Sequence, residues 1–355
     1  MAIPYWTAEA DPYGTPIQIT NIQTVTVTNG RRVLTDFYAA GRATIVGRRP
    51  DLLPTLNVGD LVNIKLYNPN YSAFYFYGIT LRVSDLQITY GTVPAMDTWT
   101  LTLEDVFATL GRSRVTQTWA AGTTTVDALE DVCTEVGIVL GVYTPSTPKT
   151  ISATTVTDAN ALNVVQTIVN TEQGLLYASA ELNFTTRGWQ SETTFYAFGD
   201  AGGANTTYQQ VQFLSMADNY ATYVLVTIDG GTPTVSGTGV YSYRLDTYAA
   251  NATEALSVAQ YVQNALQDTS AVPNTLSVLL NTETSTRTLD ALFSNTGVTL
   301  TLRGQTYTAN IIGWTISSTP EQTRVTFQLA GTEQYNYLVL NNSVYGTLNS
   351  NRLGF

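Results

Sequence analysis

The chain has 355 residues, of which 44% are hydrophobic and 11% aromatic, enough for packed cores and too apolar for a disordered chain. Only 12% are charged, the net charge is −11, and histidine is absent, which excludes imidazole acid–base work, Ser-His-Asp and Cys-His nucleophiles and histidine zinc sites. A single cysteine, Cys133, excludes an intramolecular disulfide and a thiolate metal cluster, and reads as a small buried apolar residue.

The length predicts two to four modules. Polarity comes mainly from Thr, Asn, Gln, Ser and Tyr. Such a surface suits static subunit contacts, because uncharged polar groups cost less to desolvate than ions. Acids and bases balance through Arg114, and the acidic excess lies beyond it. That part should repel nucleic acid, whose binding depends on Lys and Arg. The first residues, Met1 to Trp6, lack the basic and apolar regions of a secretory signal. No run approaches the roughly 18 apolar residues of a membrane span, so membrane insertion is not expected.

Residues 17 to 103 read as strands punctuated by turns. Asn29-Gly30 is a hairpin signal between Thr24 to Thr28 and Arg32 to Leu34. Val58 to Leu66, Phe76 to Ile88 and Thr98 to Leu103 alternate apolar and polar residues, as strands buried on one face do. Asn68-Pro69 and Tyr90-Gly91 mark loops. A strand end and one helical turn follow over Thr102 to Gly111, with Leu103, Val106, Phe107 and Leu110 on one face and Glu104 and Asp105 at its start, where negative charge favours the dipole.

In the middle of the chain, Val126 to Val136 carries a helical stripe of Val126, Leu129, Val132, Cys133 and Val136. Ala159 to Thr171 repeats that pattern, with Asp158 the expected N-cap and Gly174 the stop. Strands are expected at Leu175 to Leu182, Thr193 to Phe198, Tyr208 to Leu214 and Tyr220 to Ile228, with a turn at Asp229-Gly230-Gly231. A helix over Glu254 to Gln267 begins with a capping-box spacing of Asn251 and Glu254. A second three-strand meander follows, Gly297 to Leu302, Tyr307 to Ser317 and Thr323 to Leu329. Two such meanders suggest a duplicated barrel.

This order of elements resembles the tail hub proteins of bacteriophages, also called baseplate hub or minor tail proteins. The likeness is carried by Val58-Gly59-Asp60, Tyr77-Gly78-Ile79 and Thr100 to Leu110. In the second half it is carried by Glu254 to Gln267, Asn274 to Val278, and Val298 to Leu329, with Thr296-Gly297-Val298 where a Gly-Asp usually stands. The resemblance implies a homotrimer whose two barrels per subunit form a pseudo-hexameric ring. The partners it implies are a distal tail protein, a tape measure protein and tip or fibre proteins of the same virion. DNA would pass through without specific binding.

The expected fold is therefore mainly β with α+β insertions: two similar small antiparallel barrels plus mixed modules. The expected segments are a first barrel at 1–112, a mixed module at 113–206, the start of a second barrel at 207–250, a helical insertion at 251–287, the rest of that barrel at 288–334, and an arm at 335–355. The expected role is structural and non-enzymatic, at the virion tail tip, with no cofactor and no metal. A hexameric distal tail ring and a glycan-recognising receptor-binding protein are the other readings.

Candidate interface residues are Tyr67, Tyr71, Phe74 and Tyr75 in the aromatic segment 67–77, and Tyr335 and Tyr337 in the arm. The aromatic segment reads as a hairpin whose rings fill a core, as a subunit contact, or as a sugar-stacking loop. Arg31, Arg32, Arg48 and Arg49 form a possible basic patch, better explained by solvated loop charges or subunit salt bridges. Asp127, Glu130, Asp131 and Glu135 share a helix face opposite the apolar stripe, so the solvated side of the helix accounts for them better than a carboxylate pair does.

Overall fold

A computed structural model describes residues 5–11, 16–30, 39–68, 75–143, 148–178, 182–185, 195–200, 206–214, 220–266, 272–281, 283–294 and 297–331. The first strands are β1 (Tyr5–Asp11), β2 (Ile17–Ile19), β3 (Ile22–Gly30), β4 (Ala39–Arg48), β5 (Leu61–Asn68), β6 (Tyr75–Thr89) and β7 (Thr98–Glu104). The middle of the chain runs α1 (Val106–Arg112), β8 (Arg114–Trp119), α2 (Thr125–Val136), β9 (Leu140–Tyr143), β10 (Thr154–Asn160), α3 (Ala161–Glu172), β11 (Leu175–Ala178) and β12 (Leu182–Thr185). Then come β13 (Phe195–Gly199), β14 (Gln210–Leu214), β15 (Tyr223–Ile228), β16 (Thr234–Gly237), β17 (Ser242–Thr247), α4 (Ala252–Ala265) and β18 (Val272–Leu279). The last elements are α5 (Ser285–Ser294), β19 (Gly297–Leu302), β20 (Gln305–Ser318) and β21 (Thr323–Gly331).

Thirteen strands join one sheet, and the order inside it is a repeat. Neighbours run β3-β4-β7-β6-β5-β1 in the first half and β14-β18-β21-β20-β19-β13 in the second. Each set follows the same chain order. Four of the five ladders are antiparallel in both sets; β1 runs antiparallel to β5, whereas β13 runs parallel to β19. The registers also match. Leu61 opposite Arg82 and Glu104 corresponds to Gly297 opposite Asn310 and Ala330. Gly297 thus takes the place of Leu61, two residues beyond the Gly59 suggested by sequence, and even spacing keeps the same residues facing inward.

A bulge recurs at one point: Ser84 is the extra residue of β6, and Ile312 that of β20. The Ser84 hydroxyl donates to the Thr102 carbonyl at 3.2 Å, whereas Ile312 packs into a separate core below. A bulge re-aims a side chain in this way. The two sets are fused where β3 pairs with the second half of β20, from Val25 opposite Ser318 to Gly30 opposite Gly313. Gly30 remains in strand and is paired with Gly313, so the expected hairpin turn is not at Asn29-Gly30; Arg32 to Leu34 lie outside the described residues. No ladder joins β1 to β3 or β13 to β14 among the described residues.

Alternation builds the main core. Trp99, Leu101 and Leu103 of β7 are buried between less buried threonines, and Val325, Phe327 and Leu329 of β21 are buried around the less buried Thr326 and Gln328. Ile45, Val62, Ile64 and Ile316 join them in one cluster spanning both sets. Each such side chain contributes about 1.5–3 kcal/mol when withdrawn from water.

Two smaller units sit beside the sheet. In the first, α1, α2 and α3 bury Phe107, Leu110, Leu129, Val132 and Ile168 with Trp119 of β8. Thr124 caps α2, accepting from the Asp127 amide at 3.1 Å. The N-cap of α3 is Asn160, which accepts from the Asn163 amide at 3.2 Å. Asp158, the expected cap, lies two residues earlier at a β10 bulge with φ 48°. In the second unit β16, β15 and β17 form a separate sheet, β15 and β17 being parallel, and α4 packs on it through Val258, Ala259 and Val262. Asn251 caps α4 as its spacing implied, while Glu254 reaches back to the Ala250 amide at 3.1 Å.

The two units also touch each other. Tyr248 follows β17 and lies in the core of the first unit, its ring centroid 6.3 Å from that of Trp119. Its amide donates to Thr171 Oγ1 at 2.8 Å, and Asn170 Nδ2 donates to the Asp246 carbonyl at 3.1 Å.

Candidate interface on the duplicated sheet

Of the aromatic candidates, Tyr67 lies in β5 opposite Phe76, and Tyr75 begins β6 opposite Asn68. Tyr71, Phe74, Tyr335 and Tyr337 lie outside the described residues. Of the arginine group, Arg48 ends β4 and Arg49 directly follows it. Arg31 and Arg32 are outside the described residues, and Arg49 forms a bidentate pair with Asp51 at 2.8 and 2.9 Å. That contact raises the guanidinium's pKa and lowers the carboxylate's, through the side-chain hydrogen bonds first.

The α2 carboxylates bind their own scaffold. Asp127 accepts from the capping Thr124 hydroxyl at 2.7 Å. Asp131 accepts from the Trp119 indole N–H at 3.0 Å, and Glu135 accepts from the Thr116 amide and Gln117 Nε2. Burial pushes the Cys133 thiol up to about 12, and its side chain is 1% exposed. Among the described residues no group of acids and cysteine is arranged to hold a metal ion, and no helix is long and apolar enough to cross a membrane.

One acid differs from the rest. Asp105 caps α1, and its carboxylate accepts from the Phe107 amide at 2.9 Å and, across to β4, from the Gly41 amide at 2.6 Å. Its burial drives the pKa up to about 7, against the pull of those N–H groups. A larger residue at Gly41 would displace this carboxylate, since a Cβ would lie 2.6 Å from Asp105 Oδ2. Nearby Glu104 is engaged by Arg42 and Arg112. The buried carboxylate therefore clamps the sheet to the first helical unit.

The surface feature with the clearest claim to bind something is at the far end of β6. The bulges set the equivalence: Ile88 occupies the position in β6 that Ile316 occupies in β20. Ile316 is fully buried, whereas Ile88 is 39% exposed. The difference is β3, which covers β20 along this stretch; β5 ends opposite Arg82 and leaves β6 beyond Val83 without a second neighbour among the described residues. Beside this stretch lie exposed Tyr90, Val93 and Met96, and a cleft of 520 Å³ lined by Arg49, Asp51, Ile88, Tyr90, Pro94 and Asp97. A grouped apolar surface of this kind marks an interaction site. The sequence offered one signal, an uncharged Tyr90-to-Met96 loop rich in apolar residues, which reads as a simple turn.

Solved structures of tail proteins align along nearly the whole chain. The 43 kDa tail protein of prophage MuSo2 from Shewanella oneidensis is 12% identical, with 93% of this chain and 98% of that one covered at a TM-score of 0.64. The chain has the fold of phage tail proteins. A tail protein from Neisseria meningitidis MC58 shares that tail-protein fold at 11% identity, 91% and 96% coverage and a TM-score of 0.63. A type VI secretion system component of E. coli, described as structurally similar to the T4 tail proteins gp27 and gp5, matches at 11% identity, 92% and 77% coverage and 0.50. No protein-family model matches the sequence, and the search of curated proteins returned no match.

Proposed function

We propose that this chain is a non-enzymatic structural protein of a phage tail tip, a hub whose two six-strand units act as barrel-like segments of one ring. Three copies supply six units, which lets a three-fold subunit ring meet a six-fold tail tube or distal tail ring. The observation that carries this reading is the repeat itself: six strands in the same order twice in one chain of tail-protein fold, five of them in the same directions and with the β6 and β20 bulges in matching register. The two units beside the sheet, one built on α1 to α3 and the other on β15 to β17 with α4, contact tip or fibre proteins, and the ring leaves a channel for DNA.

A reconstruction of the assembled particle by cryo-electron microscopy tests this. Three copies around the tail axis are expected, with both units of each copy in the ring. Six equivalent copies would replace the hub by a distal tail ring. Copies confined to peripheral fibres would replace it by a receptor-binding protein.

A further inference from the structure

We infer that β14 of one copy adds as an antiparallel strand to the open edge of β6 in the next copy, from Gln87 to Thr89, with Gln212 opposite Thr89 and Leu214 opposite Gln87. The inference rests on the ring reading and names the backbone contact that would close the ring.

The chain already contains this joint once. The first strand of the first unit, β3, pairs with the second half of β20 in the second unit. By register, β20 corresponds to β6 and β3 to β14. Thr26 aligns with Thr44, Thr102 and Asp85 across the first unit, and Gln212 aligns with Thr275, Gln328 and Gly313 across the second. Inside the chain Thr26 lies opposite Ser317, whose counterpart in β6 is Thr89. Among the described residues, each copy thus holds one filled joint and the two unpaired halves of a second.

Both halves are open on the surface. β14 ends the sheet, pairing only with β18 among the described residues, and Gln210 and Gln212 are exposed. On β6, Asp85, Gln87, Ile88 and Thr89 are exposed. Neither stretch is blunted as free edges usually are, because Gln210 to Leu214 has no proline and no charge, and Asp85 to Thr89 has one acid and no proline. An unprotected edge pairs readily with another strand, and here each edge has a complement on a second copy. Because the two surfaces differ, the contact is head-to-tail, and it closes a ring when the rotation between copies matches the symmetry.

The test is disulfide formation in the full chain. Directly opposed residues of an antiparallel pair have Cα atoms about 4.5–5.5 Å apart, within the range a disulfide spans. The Gln212→Cys/Thr89→Cys variant is expected to form links between chains, in a ladder on non-reducing gels that ends at a closed three-chain species. The Thr26→Cys/Ser317→Cys variant is the internal control and should link within one chain. Gln212→Cys with Asp85→Cys places the thiols about four residues out of register, roughly 13 Å apart, and should not link. Cys133 is buried and can stay in place. Ile88→Glu, which would place a charge under the added strand, should weaken assembly by at least about tenfold.

Analytical ultracentrifugation of the same samples separates the ideas. Trimers lacking the 212–89 link would overturn the strand addition and leave the ring reading intact. A chain that remains monomeric at every concentration would overturn the strand addition, and the particle reconstruction would still decide the ring. Cross-linking that is equal for the Thr89 and Asp85 partners would overturn the stated register.

Discussion

At the scale of single residues, Asp105 is a buried carboxyl whose environment moves it far from its behaviour in water. Its folded pKa of about 7 lies above the ordinary value of 3.8, so the native state holds a proton that the unfolded chain has lost between those values. The stability associated with the protonated form is fully present below pH 4 and is lost as pH rises through 7, by at most roughly 1.4 kcal/mol per pH unit. Urea midpoints measured at pH 4, 5.5 and 7 should fall with pH more steeply for wild type than for Asp105→Asn, which lacks this titrating group. Asp105→Ala, which leaves the Gly41 and Phe107 amides without their acceptor, should cost about 1–3 kcal/mol. Cys133 gives a second check: a buried thiol pushed up to about 12 should not react with a thiol reagent until the protein is unfolded. The sequence placed Asp105 at a helix start and Cys133 on a buried stripe. It did not reveal the Gly41 contact, because that partner is 64 residues away in the chain.

At the scale of elements, periodicity located the secondary structure and missed details set by local backbone geometry. The stripes of α2, α3 and α4 and strands such as β7 were readable because burial on one face imprints a period, whereas β20 is buried continuously from Ala309 to Trp314. The start of α3 was read two residues early, since Asp158 and Asn160 are equally good capping types and only the φ of 48° at Asp158 decides between them. Asn160→Ala should therefore destabilise by about 1 kcal/mol in thermal unfolding. Asp158→Gly should be close to neutral, because glycine accepts a positive φ without strain. The helix α5 went unread: Ser285 to Ser294 is rich in polar residues, and its buried Leu289, Ala291 and Leu292 make a short stripe with little contrast.

At the scale of the whole molecule, the joint between the two strand sets depends on one close approach. A Cβ on Gly30 would collide with the Gly313 backbone, and its φ of 123° is itself unsuited to other residues. Gly30→Ala should cost about 2 kcal/mol or more in urea unfolding. Faster amide exchange in Gly313 to Ser318 should accompany it, localising the loss to the β3–β20 ladder.

Alternating residues, helical stripes and the absence of histidine determined strands, helices and excluded chemistries from the sequence alone, because burial on one face imprints a period on the residues that form it. The tertiary structure alone decided which strands are neighbours: that β3 pairs with β20 as well as with β4, and that β6 and β14 have unpaired edges among the described residues. Ladder hydrogen bonds are made by the backbone, which is chemically alike in nearly every residue, so a strand's inward face is written in its sequence and its lateral partner is not.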